Sequence, residues 1–201
     1  YNRPIKNKEA IQMEKKQRIS TRKIVFVALM AALTVAGSAL RITLPIDIAG
    51  TTSFHLGNIM CALSGLLLGP WLGGLASGLG AAIYAMTNPL YISECWITFL
   101  TKGAYGLAAG LVVWKAKGKW GYGRAAVATV AGALTYVVLY LAKSYFYNGL
   151  LLKGLTPAAA LTTIVAKLPA TTFNAVVAIV FAPILAVAIR KALERNHLTI
   201  E

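Results

Sequence analysis

Acid is scarce in this sequence: six aspartates and glutamates stand against 20 lysines and arginines in 201 residues. No two carboxylates stand at helical spacing, and no chain of acids crosses an apolar run, so paired general acid–base chemistry and a transmembrane proton relay both lack their residues. Cysteine is rarer still. Cys61 and Cys95 form no CxxC or Cys/His spacing, so neither a metal motif nor a disulfide framework is written here, and both read as small residues in membrane packing. The sequence has two histidines and no HExxH, no GxSG and no GxxxxGK[ST] phosphate loop; it specifies no metal and no cofactor of its own, and ATP with Mg would belong to other chains. Charged residues make up 13% of the chain, and no soluble domain, linker or low-complexity segment is visible.

What is present is apolar. The chain is 58% hydrophobic with a mean hydropathy of +0.67, more apolar surface than one soluble domain of this size can hide. It reads as an integral membrane protein. In a soluble protein a formal charge of +14 would point to nucleic acid. Here eight basic residues fall in the first 23 positions, four between Lys115 and Arg124, and three between Arg190 and Arg195, each block flanking an apolar run. That is the positive-inside pattern of a multi-pass protein. The expected layout is a basic cytoplasmic segment at 1–23, a membrane domain at 24–190 and a cytoplasmic tail at 191–201. The leader lacks a cleavage site and is expected to stay cytoplasmic.

The apolar runs predict a compact, all-α bundle of six transmembrane helices with both termini inside. The first span covers 24–42, and 43–57, with its proline, glycines and Asp47, reads as an outer loop. The next run is interrupted by Gly69-Pro70, which predicts two short helices, Asn58 to Leu68 and Trp71 to Met86. Residues 87–95 form a second outer loop, and spans at 96–114, 124–147 and 158–189 follow. A five-helix count would put the last two basic blocks outside. In lipid, helices associate through small residues, and these recur as Ala28, Ala32 and Ala36 in the first helix, Gly69, Gly73, Ser77, Ala81 and Ala85 in the third, and Gly106 and Gly110 in the fourth. The first-helix row lies at the edge of the chain and is a candidate surface for another subunit.

Ionisable groups inside a membrane are costly and mark candidate sites. Lys102, Lys143 and Lys167 all fall in the outer half of their helices, at the depth of His55, Asn58, Tyr84, Asn88, Glu94, Trp96, Tyr140 and Asn174. These eleven residues are the candidate substrate-binding set. Tyr136, Tyr140, Lys143 and Tyr147 share one helix face by spacing, with an interfacial aromatic belt as the alternative for Tyr147. Pro169 frees a backbone carbonyl near Lys167. Glu94 has Lys102, Lys167 or a ligand as its expected partner, Asn58 is a candidate helix cap, and His55 offers one donor and one acceptor near pH 7. Aromatics, amides and a few charges converging on one outward cavity describe a small-molecule site.

Six helices with both ends inside, AxxxA in helix one, a loop leading to HLGN and an LLGPxxGG turn together resemble the substrate-binding S component of an energy-coupling factor (ECF) vitamin transporter, over roughly residues 20–195. The resemblance implies a non-enzymatic, multi-pass protein of the prokaryotic plasma membrane. Such a subunit captures a water-soluble vitamin or precursor with high affinity, and a transmembrane coupling (T) component and two ATPase subunits power uptake. It further implies that Ala28, Ala32 and Ala36 contact the T component, that the loops at 43–57 and 87–95 close over substrate, and that the whole subunit topples in the bilayer. HLGN and the aromatic rings look most like the hydroxymethylpyrimidine or pyridoxine type, whereas the lysine excess argues for pantothenate. A self-sufficient small secondary transporter and a membrane enzyme acting on lipid are the competing classes.

Overall fold

The computed structural model describes residues 20–46, 50–116 and 120–196; most of the basic leader, Asp47 and the end of the C-terminal tail lie outside the described residues. Five helices dominate: α1 (Thr21–Ala39), α2 (Gly57–Thr87), α3 (Cys95–Trp114), α4 (Tyr122–Ala142) and α5 (Pro157–Arg195). Between α1 and α2 the chain forms two antiparallel strands, β1 (Arg41–Ile46) and β2 (Gly50–His55), in the register Arg41 to His55 through Ile46 to Gly50. The segment expected as a plain outer loop is therefore a β-hairpin.

Among the described residues five helical stretches, not the expected six, are long and apolar enough to cross a membrane. The reason lies inside α2. Gly69 leaves the helix at φ 76° and ψ −172°, a region open to glycine and hardly to any other residue, and Pro70 starts a new run in the one place where its missing N–H costs nothing. The two arms then fold back on each other. Ser77 Oγ donates to the Cys61 carbonyl at 3.1 Å, although a straight helix would hold those residues about 24 Å apart. The first arm, 57–68, reaches only about 18 Å and is too short to span a ~30 Å hydrocarbon core by itself.

Small residues set how closely these arms meet α3. A Cβ at Gly110 would come within 2.5 to 2.6 Å of the Gly69 and Pro70 backbone, so the C-terminal half of α3 lies directly on the α2 turn. This is association through backbone approach, as lipid requires. Of the alanine row on α1, Ala28, Ala32 and Ala36 are all exposed, whereas Met30, Ala31, Thr34 and Gly37 on the opposite face are buried.

The bundle has two unlike ends. At one, Met30, Leu63, Leu66, Ala76, Val113, Ala125, Ala128 and Ala186 form an apolar core; its hydroxyls, Ser64 and Thr129, are spent on carbonyls of their own helices. The α2 turn, Arg124 bonded to the Val112 carbonyl, and Arg190 over the Trp120 ring mark this end. At the other end lie the hairpin, a 3-10 turn at Ile92–Glu94, and a π-helical segment at Lys143–Leu152 that continues α4. The wide turns close at Lys153, whose N–H donates to the Asn148 carbonyl at 3.2 Å, and Gly154 ends them at φ 59°. Thr156 then caps α5 by accepting from the Ala159 N–H, with Pro157 at the first helical position.

Candidate functional site

The hairpin end encloses a cavity of about 300 Å³, within the range of small-molecule sites. Of the eleven residues expected from sequence, His55, Tyr84, Glu94, Lys102, Tyr140, Lys143, Lys167 and Asn174 line it, and Asn58, Asn88 and Trp96 do not. Asn88 instead shapes the loop beside it: its Nδ2 donates to the Tyr84 hydroxyl at 3.1 Å and its Oδ1 accepts from the Leu90 N–H at 3.0 Å. Trp96 is half exposed and meets Tyr147 edge-on at 5.6 Å. The π-helical turns explain that pairing, because they rotate Tyr147 away from the face that Tyr136 and Tyr140 share.

Asn58 is not a cap. It lies one residue inside α2, whose N-cap residue Leu56 makes no side-chain cap bond. The first free amide of the helix is taken by His55, whose Nδ1 accepts from the Gly57 N–H at 3.1 Å. Asn58 is buried, its Oδ1 accepts from Lys102 Nζ, and its Nδ2 has no partner among the described residues. It thus positions a cavity lysine from behind.

Glu94 is partnered by neither Lys102 nor Lys167. Its Oε2 pairs with Lys143 and its Oε1 accepts from Asn148 Nδ2, so both oxygens are engaged from the π-helical segment. The pair is largely buried, with side-chain exposures of 7% and 14%. It clasps the start of α3 to the extension of α4.

Tyr136 and Tyr140 build one wall, stacked at 5.6 Å, and Tyr105 backs it from the core, stacked on Tyr136 at 5.8 Å. Lys102 stands 3.8 Å over the Tyr136 ring, and Lys167 lies 5.8 Å from that of Tyr140 with its Nζ donating to Ser144 Oγ at 3.4 Å. Such contacts offset part of the cost of a buried ammonium. The roof is β2. Asn174 on α5 accepts from the His55 N–H at 3.0 Å and donates to the Ser53 carbonyl at 2.7 Å, while Phe54 meets Phe173 edge-on at 5.0 Å. On the opposite side Arg41 lies 4.3 Å over Tyr84 and 4.9 Å over Tyr91, and Ser53 Oγ is 3.4 Å from the Tyr91 hydroxyl. The hairpin is therefore fastened on both flanks of the cavity.

Burial, reinforced by the positive charges of Lys102 and Arg41, holds the His55 pKa well below its ordinary 6.5. The ring is neutral at pH 7. Since Nδ1 accepts from Gly57, the proton is on Nε2, and His55 offers the cavity a donor.

Sequence reasoning missed Arg41, Tyr136, Ser144, Asn148, Lys153 and Thr171 as lining residues. A signal existed for two of them: Arg41 and Lys153 are basic residues outside the three basic blocks, so the positive-inside pattern does not account for them.

Apolar helices closing around one cationic cavity near one end define a membrane-embedded solute-binding protein. A family model described as "ECF-type riboflavin transporter, S component" matches residues 18–191, and the chain belongs to this family. It is a multi-pass protein of the plasma membrane and a substrate-binding component of a vitamin transporter. It is also similar to a protein from Pyrococcus woesei described as "Uncharacterized protein in gap 3'region", with 34% identity over 118 residues, 59% of this chain and 74% of the relative.

Proposed function

We propose that the chain is the high-affinity binding subunit through which an ECF importer captures a water-soluble vitamin or vitamin precursor outside the cell. The family match across 18–191 carries this reading, and the cavity beneath the hairpin supports it as the place of capture. In this reading the hairpin end faces outward and the basic flanks face the cytoplasm, as the charge pattern asks. Counted with the two arms of α2 as separate segments, the membrane domain at 24–190 returns both termini to the inside, leaving 1–23 and 191–201 as cytoplasmic flanks.

Of the eight cavity-lining residues named from sequence, His55, Tyr84, Lys102, Tyr140 and Lys167 are the proposed ligand contacts, Asn58 acts through Lys102, and Glu94, Lys143 and Asn174 hold the walls and roof around them. Ala28, Ala32 and Ala36 form the proposed contact with a T component, which with two ATPases supplies the energy. Their exposure on a smooth face of α1 supports this. Three substrates compete: a hydroxymethylpyrimidine or pyridoxine ring, supported by the tyrosine wall; pantothenate, supported by the lysines; and riboflavin, for which the family is described.

The test is purification of tagged protein from its native membrane under gentle detergent, with mass spectrometry of retained small molecules and of partner chains. A vitamin-class molecule, a T component and two ATPases are expected. Ala32→Trp adds bulk on an exposed position, so ligand retention should persist while partners and uptake are lost. Partner recovery and uptake equal to those of the parent protein would refute the coupling surface, and ATP-independent transport in liposomes would refute the subunit reading.

A further inference from the structure

The cavity is unbalanced in charge. Arg41, Lys102, Lys143, Lys153 and Lys167 line it, and among the described residues Glu94 is the one carboxylate in its wall. That carboxylate is already committed, since its two oxygens serve Lys143 and Asn148. Lys102 and Lys167 are different. They are 6% and 4% exposed, and among the described residues neither has a carboxylate within ion-pair distance; each donates to a neutral oxygen, of Asn58 and of Ser144. Two ammonium groups buried in lipid-embedded helices with only neutral acceptors are expensive to keep. They are also donors without acceptors to spare.

The rest of the lining adds to the donor excess. His55 presents Nε2–H, and the carbonyl of Ser53 and the side-chain oxygen of Asn174 are consumed in fastening the hairpin. A neutral ring would leave the two lysines uncompensated after it bound, whereas an acid would supply what the wall lacks.

We propose that the ligand carries an acidic group, a carboxylate or phosphate, and that Lys102 and Lys167 are the specificity-determining residues that receive it, while the Glu94, Lys143 and Asn148 cluster holds the walls together. This rests on the S-component reading and narrows it. Lys102 approaches from α3, backed by Asn58 and the Tyr136 ring; Lys167 approaches from α5, backed by Ser144 and the Tyr140 ring. The acid is therefore gripped between two helices that belong to opposite walls. Such two-sided recognition rejects the neutral analogue, because the analogue leaves both ammonium groups buried and unpaired.

The experiment uses ligand-stripped full-length chain in nanodiscs and three pairs of probes that differ by an acidic group: pantothenate and panthenol, 4-pyridoxic acid and pyridoxine, riboflavin 5′-phosphate and riboflavin. In whichever pair binds, calorimetry should give the acid at least tenfold tighter binding. Lys102→Gln and Lys167→Gln should each cut that preference by tenfold or more, and Lys102→Arg should keep most of it. Lys167→Met serves if the amide variant does not fold, with thermal unfolding as the check on both. Tighter binding of the neutral member overturns the acid inference and leaves the S-component reading intact. Acid preference that survives both lysine variants overturns the residue assignment. Binding by no member of any pair overturns the vitamin reading beneath it.

Discussion

Replacing Asn174 with alanine removes both hydrogen bonds that tie β2 to α5, the one accepted from the His55 N–H at 3.0 Å and the one donated to the Ser53 carbonyl at 2.7 Å. A hydrogen bond of this kind contributes about 1 kcal/mol net, so the closed hairpin should lose about 2 kcal/mol relative to an opened one. That corresponds to a roughly thirtyfold rise in the opened population. The rest of the fastening survives, because Phe54 still meets Phe173 and Arg41 still covers Tyr84 and Tyr91; the effect is more frequent opening, not loss of fold. Hydrogen exchange by mass spectrometry reads it directly, since the His55 amide is itself one of the two donors. Exchange in the peptide spanning 53–56 should accelerate by about thirtyfold, while peptides around Leu63 in the first arm of α2 stay unchanged. Acceleration of less than threefold would show that Asn174 does not fasten the roof. Acceleration spread through α2 would show that it holds the bundle instead.

Two further perturbations test the packing and the titration. Gly110→Ala drives a methyl group to within 2.5 to 2.6 Å of the Gly69 and Pro70 backbone, where nothing flexible can yield; it should cost about 1 to 3 kcal/mol and several degrees of thermal stability, whereas Gly103→Ala, whose nearest contact would be 3.4 Å away, should be tolerated. His55 has a folded-state pKa below its ordinary 6.5, so below that pH the opened hairpin binds more protons than the closed one. Hairpin stability should hold above pH 6.5 and be lost as pH falls towards the depressed value. His55→Asn keeps an acceptor for the Gly57 N–H and should flatten this dependence in exchange measured from pH 7.5 to 5; an unchanged slope would assign the titration elsewhere.

The places where the sequence was readable are those where one residue forces a backbone outcome. Gly69-Pro70 announced a break because proline has no N–H and the preceding residue must leave the helix, and the break is there. The two arms on either side of it join into one of the five apolar helical stretches among the described residues. Lys102 and Lys167 were readable as cavity residues from their depth alone. Nonlocal pairings were not: nothing in the linear order says that Glu94 meets Lys143 and not Lys102, because that choice is made by how the start of α3 packs against the end of α4. The hairpin was missed because Pro45, Gly50 and three consecutive polar residues outweigh two short strands in any local reading. Asn58 has the residue type of a cap but falls two positions too late, and a histidine with an acceptor nitrogen does the capping.

The one-ended cavity also fixes a time scale. Its charged lining gathers at the hairpin end, and the opposite half of the bundle is an apolar core, so a molecule that enters at that end also leaves by it. For a site of nanomolar affinity with an association rate of about 10⁷ M⁻¹s⁻¹, spontaneous departure takes roughly 100 s. Tight scavenging and quick delivery therefore conflict within a single doorway. Whatever empties this protein at a useful rate has to lower its affinity on demand, and the two buried lysines, the clasp beside them and the doubly fastened roof are the parts on which such a force would have to act.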